Sequence, residues 1–262
     1  MEIRKCTMAG MFYPKEPGHL EQVLEMFFRT KTDRLHPLGI VVPHAGYPYS
    51  GAVAARGYGC IDPGFSGTFI VIGPSHRGYR SCVSTRPWET PLGIITNDER
   101  LSLALELPVD EEAHQENENS LETQMPFIKY RFPRARITPI LMGDQTPAEA
   151  EQLSGRIISA LHKTNKDAII VASSDFSHYV PQNEAEKLDS LAIDAILSLD
   201  TDELYQRIAK HRISACGYGP IATMIRSTSD LGAEKGILLS YMTSGDVTGD
   251  PEVVGYAAIA VI

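Results

Sequence analysis

An α/β fold follows from three features of the chain. Short apolar runs rich in β-branched residues recur along it, stretches with helical periodicity separate them, and most runs end in a small cluster of glycine, histidine or aspartate. Alternation of this kind predicts a mixed, mostly buried β-sheet flanked by helices on both faces. The 262 residues contain no Pro/Ser/Gly-rich linker, low-complexity tract or internal repeat, so residues 1–262 read as a single domain.

Taken in order, GIVV at 39–42 is the first predicted strand, and SGAVAARGYGCI after it has apolar residues at helical spacing. TFIVIG at 68–73 is the second strand. Ser81 to Thr96 is broken by proline and glycine and reads as an extra hairpin or irregular excursion. DERLSLALEL and SLETQMPFIKYRF read as helices, RITPILMG at 136–143 as a strand, and PAEAEQLSGRIISALHKT as a long amphipathic helix. DAIIVAS at 167–173, GILLSYM at 236–242 and the terminal GYAAIAVI are further strands, with the helical EAEKLDSLAIDAILSL between the first two of these.

Charge and composition narrow the function. A formal net charge of -9, with no basic cluster, argues against nucleic acid or an anionic membrane surface as partner. Small molecules, metals or proteins fit better. The N-terminal MEIRKCTMAGMFYP lacks an apolar core region, and no run has the length of a membrane span, which predicts a cytoplasmic protein. Cys6, Cys60, Cys82 and Cys216 are scattered, without the spacing of a disulfide framework or structural zinc site.

The polar residues fall where strands end. PHAGY, PSHRGY, GDQ, SDFSHY and TSGD follow successive strand runs, placing His44, His76, Asp144, Asp175, His178 and Asp246 at or just past strand ends. Ligands of open α/β sheets bind outside the carboxyl ends of the strands, so these side chains can converge. One such histidine is ordinarily a turn cap; three with carboxylates beside them point to a shared site. His44 and His76 are the candidate metal ligands, since neutral imidazole binds borderline metals. The Asp175/His178 pair suits a general acid/base oriented by a carboxylate, although an Asx turn explains Asp175 equally well.

Other candidates are weaker. HQENENSLETQMPF carries His114, Glu116, Glu118 and Glu122 into a helix with Asn119 or Ser120 as N-cap. Glu118 and Glu122 stand one helical turn apart and could project to one side, behind the site or toward substrate. Cys216 precedes a glycine-rich turn opening a helix with Pro220 in its first turn; metal ligand, nucleophile and inert buried thiol are all open readings. Tyr47, Tyr49, Tyr79 and Tyr179 cluster near the motifs and suit either cleft walls or a recognition surface.

AGMFYP, VVPHAGYPYSG, IGPSHRGY, ENSLETQMPF, SSDFSHY, the Cys216 region and VGYAAIAV, in that order, span nearly the whole chain. Together they resemble the Memo family, the protein B component of the gene set that also encodes an AMMECR-type and a radical SAM protein. The resemblance implies a fold like that of class III, LigB-like extradiol dioxygenases. It also implies His44, His76 and Cys216 as metal ligands, with Asp175 and His178 beside them. Fe(II) or copper is the implied metal, with redox chemistry, and AMMECR-type and radical SAM proteins are the implied partners; animal members bind phosphotyrosine peptides in this cleft. The dioxygenases use a glutamate as third ligand, so Cys216 counts against ring cleavage here. Asn119 stands where many relatives carry histidine, and His114 is the nearest substitute.

Three functions follow as expectations. The first is a metal-dependent, oxygen- or redox-linked enzyme acting on a small substrate. The second is a cysteine enzyme with Cys216 as nucleophile, His178 as base and Asp175 as its orienting carboxylate. The third is a non-enzymatic module whose cleft binds a peptide or protein.

Overall fold

The computed structural model describes residues 2–116 and 118–262. In chain order its elements begin with helix α1 (Pro17–Phe28), strand β1 (Gly39–Val42), α2 (Tyr47–Gly59), β2 (Thr68–Pro74), β3 (Cys82–Val83), β4 (Trp88–Thr90) and β5 (Gly93–Ile95). Next come α3 (Glu99–Ala104), α4 (Glu111–Gln115), α5 (Asn119–Glu122), α6 (Met125–Arg131), β6 (Arg136–Met142) and α7 (Pro147–Thr164). β7 (Ala168–Ser173), β8 (His178–Pro181), α8 (Gln182–Leu197), α9 (Thr201–His211), α10 (Tyr218–Asp230), β9 (Gly236–Thr243), α11 (Gly245–Thr248) and β10 (Glu252–Val261) complete it.

Eight strands form one mixed sheet in the order β3-β6-β2-β7-β1-β10-β8, with β9 also paired to β10. β6, β2, β7 and β1 run parallel, while β3, β8, β9 and β10 pair antiparallel. The central strands are buried on both faces, which is why they read as unbroken apolar runs. Their side chains alternate with period two between two cores. Val41, Ile70, Ile72, Ile170 and Ala172 face the core filled by α7, α8 and α10; Ile40, Val42, Phe69, Val71 and Val171 face the one filled by α1, α2 and α6. The expected mixed sheet covered on both sides is therefore the fold.

Several boundaries differ from expectation. SLETQMPFIKYRF is two short helices, α5 and α6, because Pro126 has no N–H to continue a single helix across Thr123 and Gln124. The cap of α5 is Glu118, whose carboxylate accepts from Ser120 N, instead of Asn119 or Ser120. The excursion from Ser81 to Thr96 contains the β4–β5 hairpin. α1 has no counterpart among the expected helices, because only Leu20 and Leu24 of its twelve residues are buried, a stripe too narrow to stand out.

Candidate metal centre

β2, β7 and β1 lie side by side and parallel, so their carboxyl ends open at the same edge of the sheet. His76, Asp175 and His44 each stand two residues past the end of one of these strands. Neighbouring strands are only about 4.8 Å apart, and equal offsets bring the three side chains together. Cys216 arrives from the loop before α10. Its approach depends on Gly217, where a Cβ would lie 2.4 Å from the Ser173 carbonyl oxygen. Backbone bonds then fix it: Cys216 N donates to Asp175 O, and Asp175 N donates to Cys216 Sγ, each at 3.2 Å.

The His44 and His76 rings face each other with centroids 5.3 Å apart and planes at 75°. One ligating atom each from His44, His76 and Cys216 lie within 4.8 Å of one another, and the same holds for Asp175, His178 and Cys216. The two groups share the thiol. His44 Nε2 is 3.1 Å from it.

The tautomer of each imidazole can be deduced from its neighbours. Ser173 Oγ lies 2.6 Å from the Ser120 carbonyl oxygen, which can only accept, so the single serine proton goes there. Gln124 Nε2 donates to the same oxygen at 2.9 Å, with its amide fixed because Nε2 also donates to Pro43 O. Ser173 must therefore accept from His44 Nδ1–H at 3.0 Å, which leaves Nε2 as a lone pair facing Cys216. His76 Nδ1 donates to the Glu118 carboxylate at 2.8 Å, and His178 Nδ1 to the Ser214 carbonyl at 2.9 Å. All three rings thus carry their proton on Nδ1 and keep Nε2 for something else.

Electrostatics separates the two facing histidines. His44 is 2% exposed, and burial holds its pKa below the usual value against the opposing pull of Asp175. The hydrogen bond that His76 donates to Glu118 raises the pKa of its imidazole, and the side chain is 38% exposed. Burial disfavours the charged form of Glu118, yet bonds from the His76 ring, Ser120 N and His76 N together keep its pKa below the ordinary range. Burial pushes the Cys216 thiol well up, so without a metal it is a neutral thiol positioned to donate to His44 Nε2. The helix N-terminus does not overcome that burial.

The cluster offers two imidazole nitrogens and one sulfur as donors. Such a set fits iron, copper or zinc and does not fit the hard cations that require oxygen ligands. Metal uptake at this site would displace the thiol proton, as ligation by cysteine requires.

Other expected residues lie elsewhere. Glu122 is fully buried and anchors the N-terminal segment: it pairs with Arg4 and accepts from Thr7 N, Met8 N and Tyr13 OH, the last at 2.5 Å. Tyr47 is a core residue, its hydroxyl on Thr123 O and its ring against Tyr13 and Phe127. Tyr49 is 42% exposed, and Tyr79 is half-buried in the loop after His76. Asp175 does not orient the His178 ring; its Oδ1 accepts from His44 N and Ala45 N, while Ser214 holds the ring. His114 is buried against Trp88, far from replacing the histidine missing at 119, where Asn119 donates to His44 O. Asp144 and Asp246 cap their own turns. Ser173, Gln124 and Ser214, which set the tautomers, have no distinguishing sequence pattern.

A mixed α/β sheet with a histidine–cysteine cluster at its parallel strand ends describes the class of molecule. The profile of the Memo family, described as Memo-like protein, matches residues 4–260. A MEMO1 family protein from Methanococcoides burtonii is 42% identical over 99% of this chain and all of its own length, and one from Methanosarcina barkeri is 43% identical with the same coverage. A third, from Desulfurococcus amylolyticus, is 42% identical over 99% of both chains. The chain belongs to the Memo family. Among solved structures, uncharacterized protein JW3007 from Escherichia coli K12 has 13% identity and a TM-score of 0.49, covering 84% of this chain and 98% of its own. Among the described residues no helix is long and apolar enough to cross a membrane.

Proposed function

We propose that this protein is a metal-dependent enzyme whose ion, iron or copper, is held by His44, His76 and Cys216. The observation that carries the reading is the common tautomer: three acceptors in three different parts of the chain hold the Nδ1 protons, leaving every Nε2 lone pair unprotonated. A binding module would not need that arrangement. Such a metal, when bound, would supply Lewis acidity and redox chemistry. His178, held by Ser214, would take or give a proton at its remaining nitrogen, and Asp175 would keep the His44 backbone in place. The substrate would be a small molecule reaching the site on the side where His76 is exposed.

The cysteine-nucleophile reading is less well supported. Burial keeps Cys216 protonated, and the imidazole in hydrogen-bond contact with it is His44, itself hard to protonate. A direct test is metal content per chain after anaerobic purification, for wild type and His76→Ala in parallel. About one iron or copper per wild-type chain, lost in the variant, is expected. No metal in either, even after reconstitution, would overturn the proposal.

A further inference from the structure

Five non-glycine residues among those described have positive φ. Glu106, Asn165, Leu199 and Arg212 each lie within two residues of a helix end, where a left-handed residue commonly closes the last turn. Tyr179 is different: its φ is 55° inside β8. Val253 pairs with Val180 and Val254 with His178, so Tyr179 has no partner across the ladder and forms a bulge. Glycine is the usual residue in a left-handed bulge position, and a bulky side chain there is a conformational outlier.

The bulge has a geometric result. Successive side chains of a regular strand point to opposite faces. The His178 and Tyr179 rings instead lie with centroids 6.1 Å apart at 61°, so both project to the same side. Tyr179 is 75% exposed, the highest value among the described large hydrophobic side chains. Core packing therefore does not explain its conformation. It has company: Tyr49 and Tyr179, with the Asp175 carboxylate, stand close enough to Tyr256 to add to the effect of burial in raising that phenol's pKa.

Backbone strain that no packing explains tends to sit where a side chain must meet a ligand. We propose that Tyr179 is a ligand-contact residue of the metal site, held in a strained bulge so that its ring stacks on a flat, conjugated group of the bound molecule. This rests on the function proposed above and adds to it the residue on which a planar part of the bound molecule lies.

Benzohydroxamate and acetohydroxamate share one chelating head and differ by a phenyl ring, so their affinity ratio isolates the contribution of the ring. The ratio is measured by titration for the protein as purified and after copper loading, in wild type, Tyr179→Phe, Tyr179→Ala and Tyr179→Gly. The expected preference for benzohydroxamate, roughly five- to tenfold from one aromatic contact, is kept by Tyr179→Phe and lost in the Ala and Gly variants, with acetohydroxamate affinity unchanged. Tyr179→Gly should also unfold at a higher temperature than Tyr179→Ala, since only glycine takes this φ freely. A ring preference that survives in Tyr179→Gly, one already lost in Tyr179→Phe, or equal stability of the Gly and Ala variants would overturn the proposal. Ring preference in a chain that takes up no metal would remove the metal reading and leave the stacking contact of Tyr179; metal uptake without ring preference would remove the contact and leave the metal.

Discussion

His44 and His76 occupy the same offset past the ends of the two parallel strands that flank β7, with rings 5.3 Å apart, yet their chemistry diverges. His44 is sealed in, with a hydroxyl as its Nδ1 acceptor, and resists protonation. His76 is partly open to solvent, sits against a carboxylate and favours protonation. The difference shows that burial around one imidazole and a carboxylate behind the other, more than their shared place on the fold, set their affinities for protons. The pair combines a rigid, neutral nitrogen with one that protons compete for.

The strongest check on that division uses a carboxylate that should not matter to it. Glu122 shares α5 with Glu118's partner Ser120 but neutralises Arg4 in the interior. Glu122→Ala leaves a buried cation unpaired and should lower stability by about 3–5 kcal/mol in urea unfolding, while the folded fraction keeps its metal affinity. Weaker metal uptake with unchanged stability would break the distinction.

Glu118→Gln should act in the opposite sense. It removes the charge behind His76, and metal affinity should fall about 10- to 100-fold in competition with a chromophoric chelator. The His76 midpoint in an NMR titration should drop with it. His44, held down mainly by burial and pulled only weakly by Glu118, should shift down less.

The pH dependence of the metal-free protein sharpens the contrast further. The folded-state pKa of His76 lies above its ordinary 6.5, so the stability it contributes is complete below pH 6.5 and is lost as pH rises through the raised value. Glu118 has a folded pKa below its ordinary 4.5, so its share is complete above pH 4.5 and is lost as pH falls through the lowered value. Wild type should therefore exceed Glu118→Gln in stability most between those two pH values, with the gap narrowing above them. His44 works the other way: its pKa is lowered, and its burial as a neutral ring destabilises the fold progressively as pH falls below 6.5. Unfolding midpoints of His44→Gln across the same range, flatter than wild type on the acid side, would show it. Ser173→Ala strands the His44 Nδ1 proton and the Ser120 carbonyl, at a cost of about 1–3 kcal/mol, measurable by thermal unfolding.

Much of this was legible in the sequence. The strand runs and the histidines just past them pointed to the fold and to the convergence of His44, His76 and Asp175, because parallel strands leave few places for their ends to go. The layer behind them was not legible. Ser173 is the last residue of an apolar strand, Gln124 lies in a broken helix and Ser214 in a plain loop; each matters through a contact far away in sequence. Glu122 misled for the same reason, since its partner Arg4 is 118 residues distant. The bulge at Tyr179 left no glycine to mark it.

The central claim is that the protein fixes the histidine tautomers before any metal arrives. Long-range proton–nitrogen NMR of the imidazoles in metal-free protein at neutral pH tests it most directly. The expected result is His44 with protonated Nδ1 and bare Nε2, and His76 and His178 in the same form wherever they are neutral. Protonated Nε2 on His44 would contradict it.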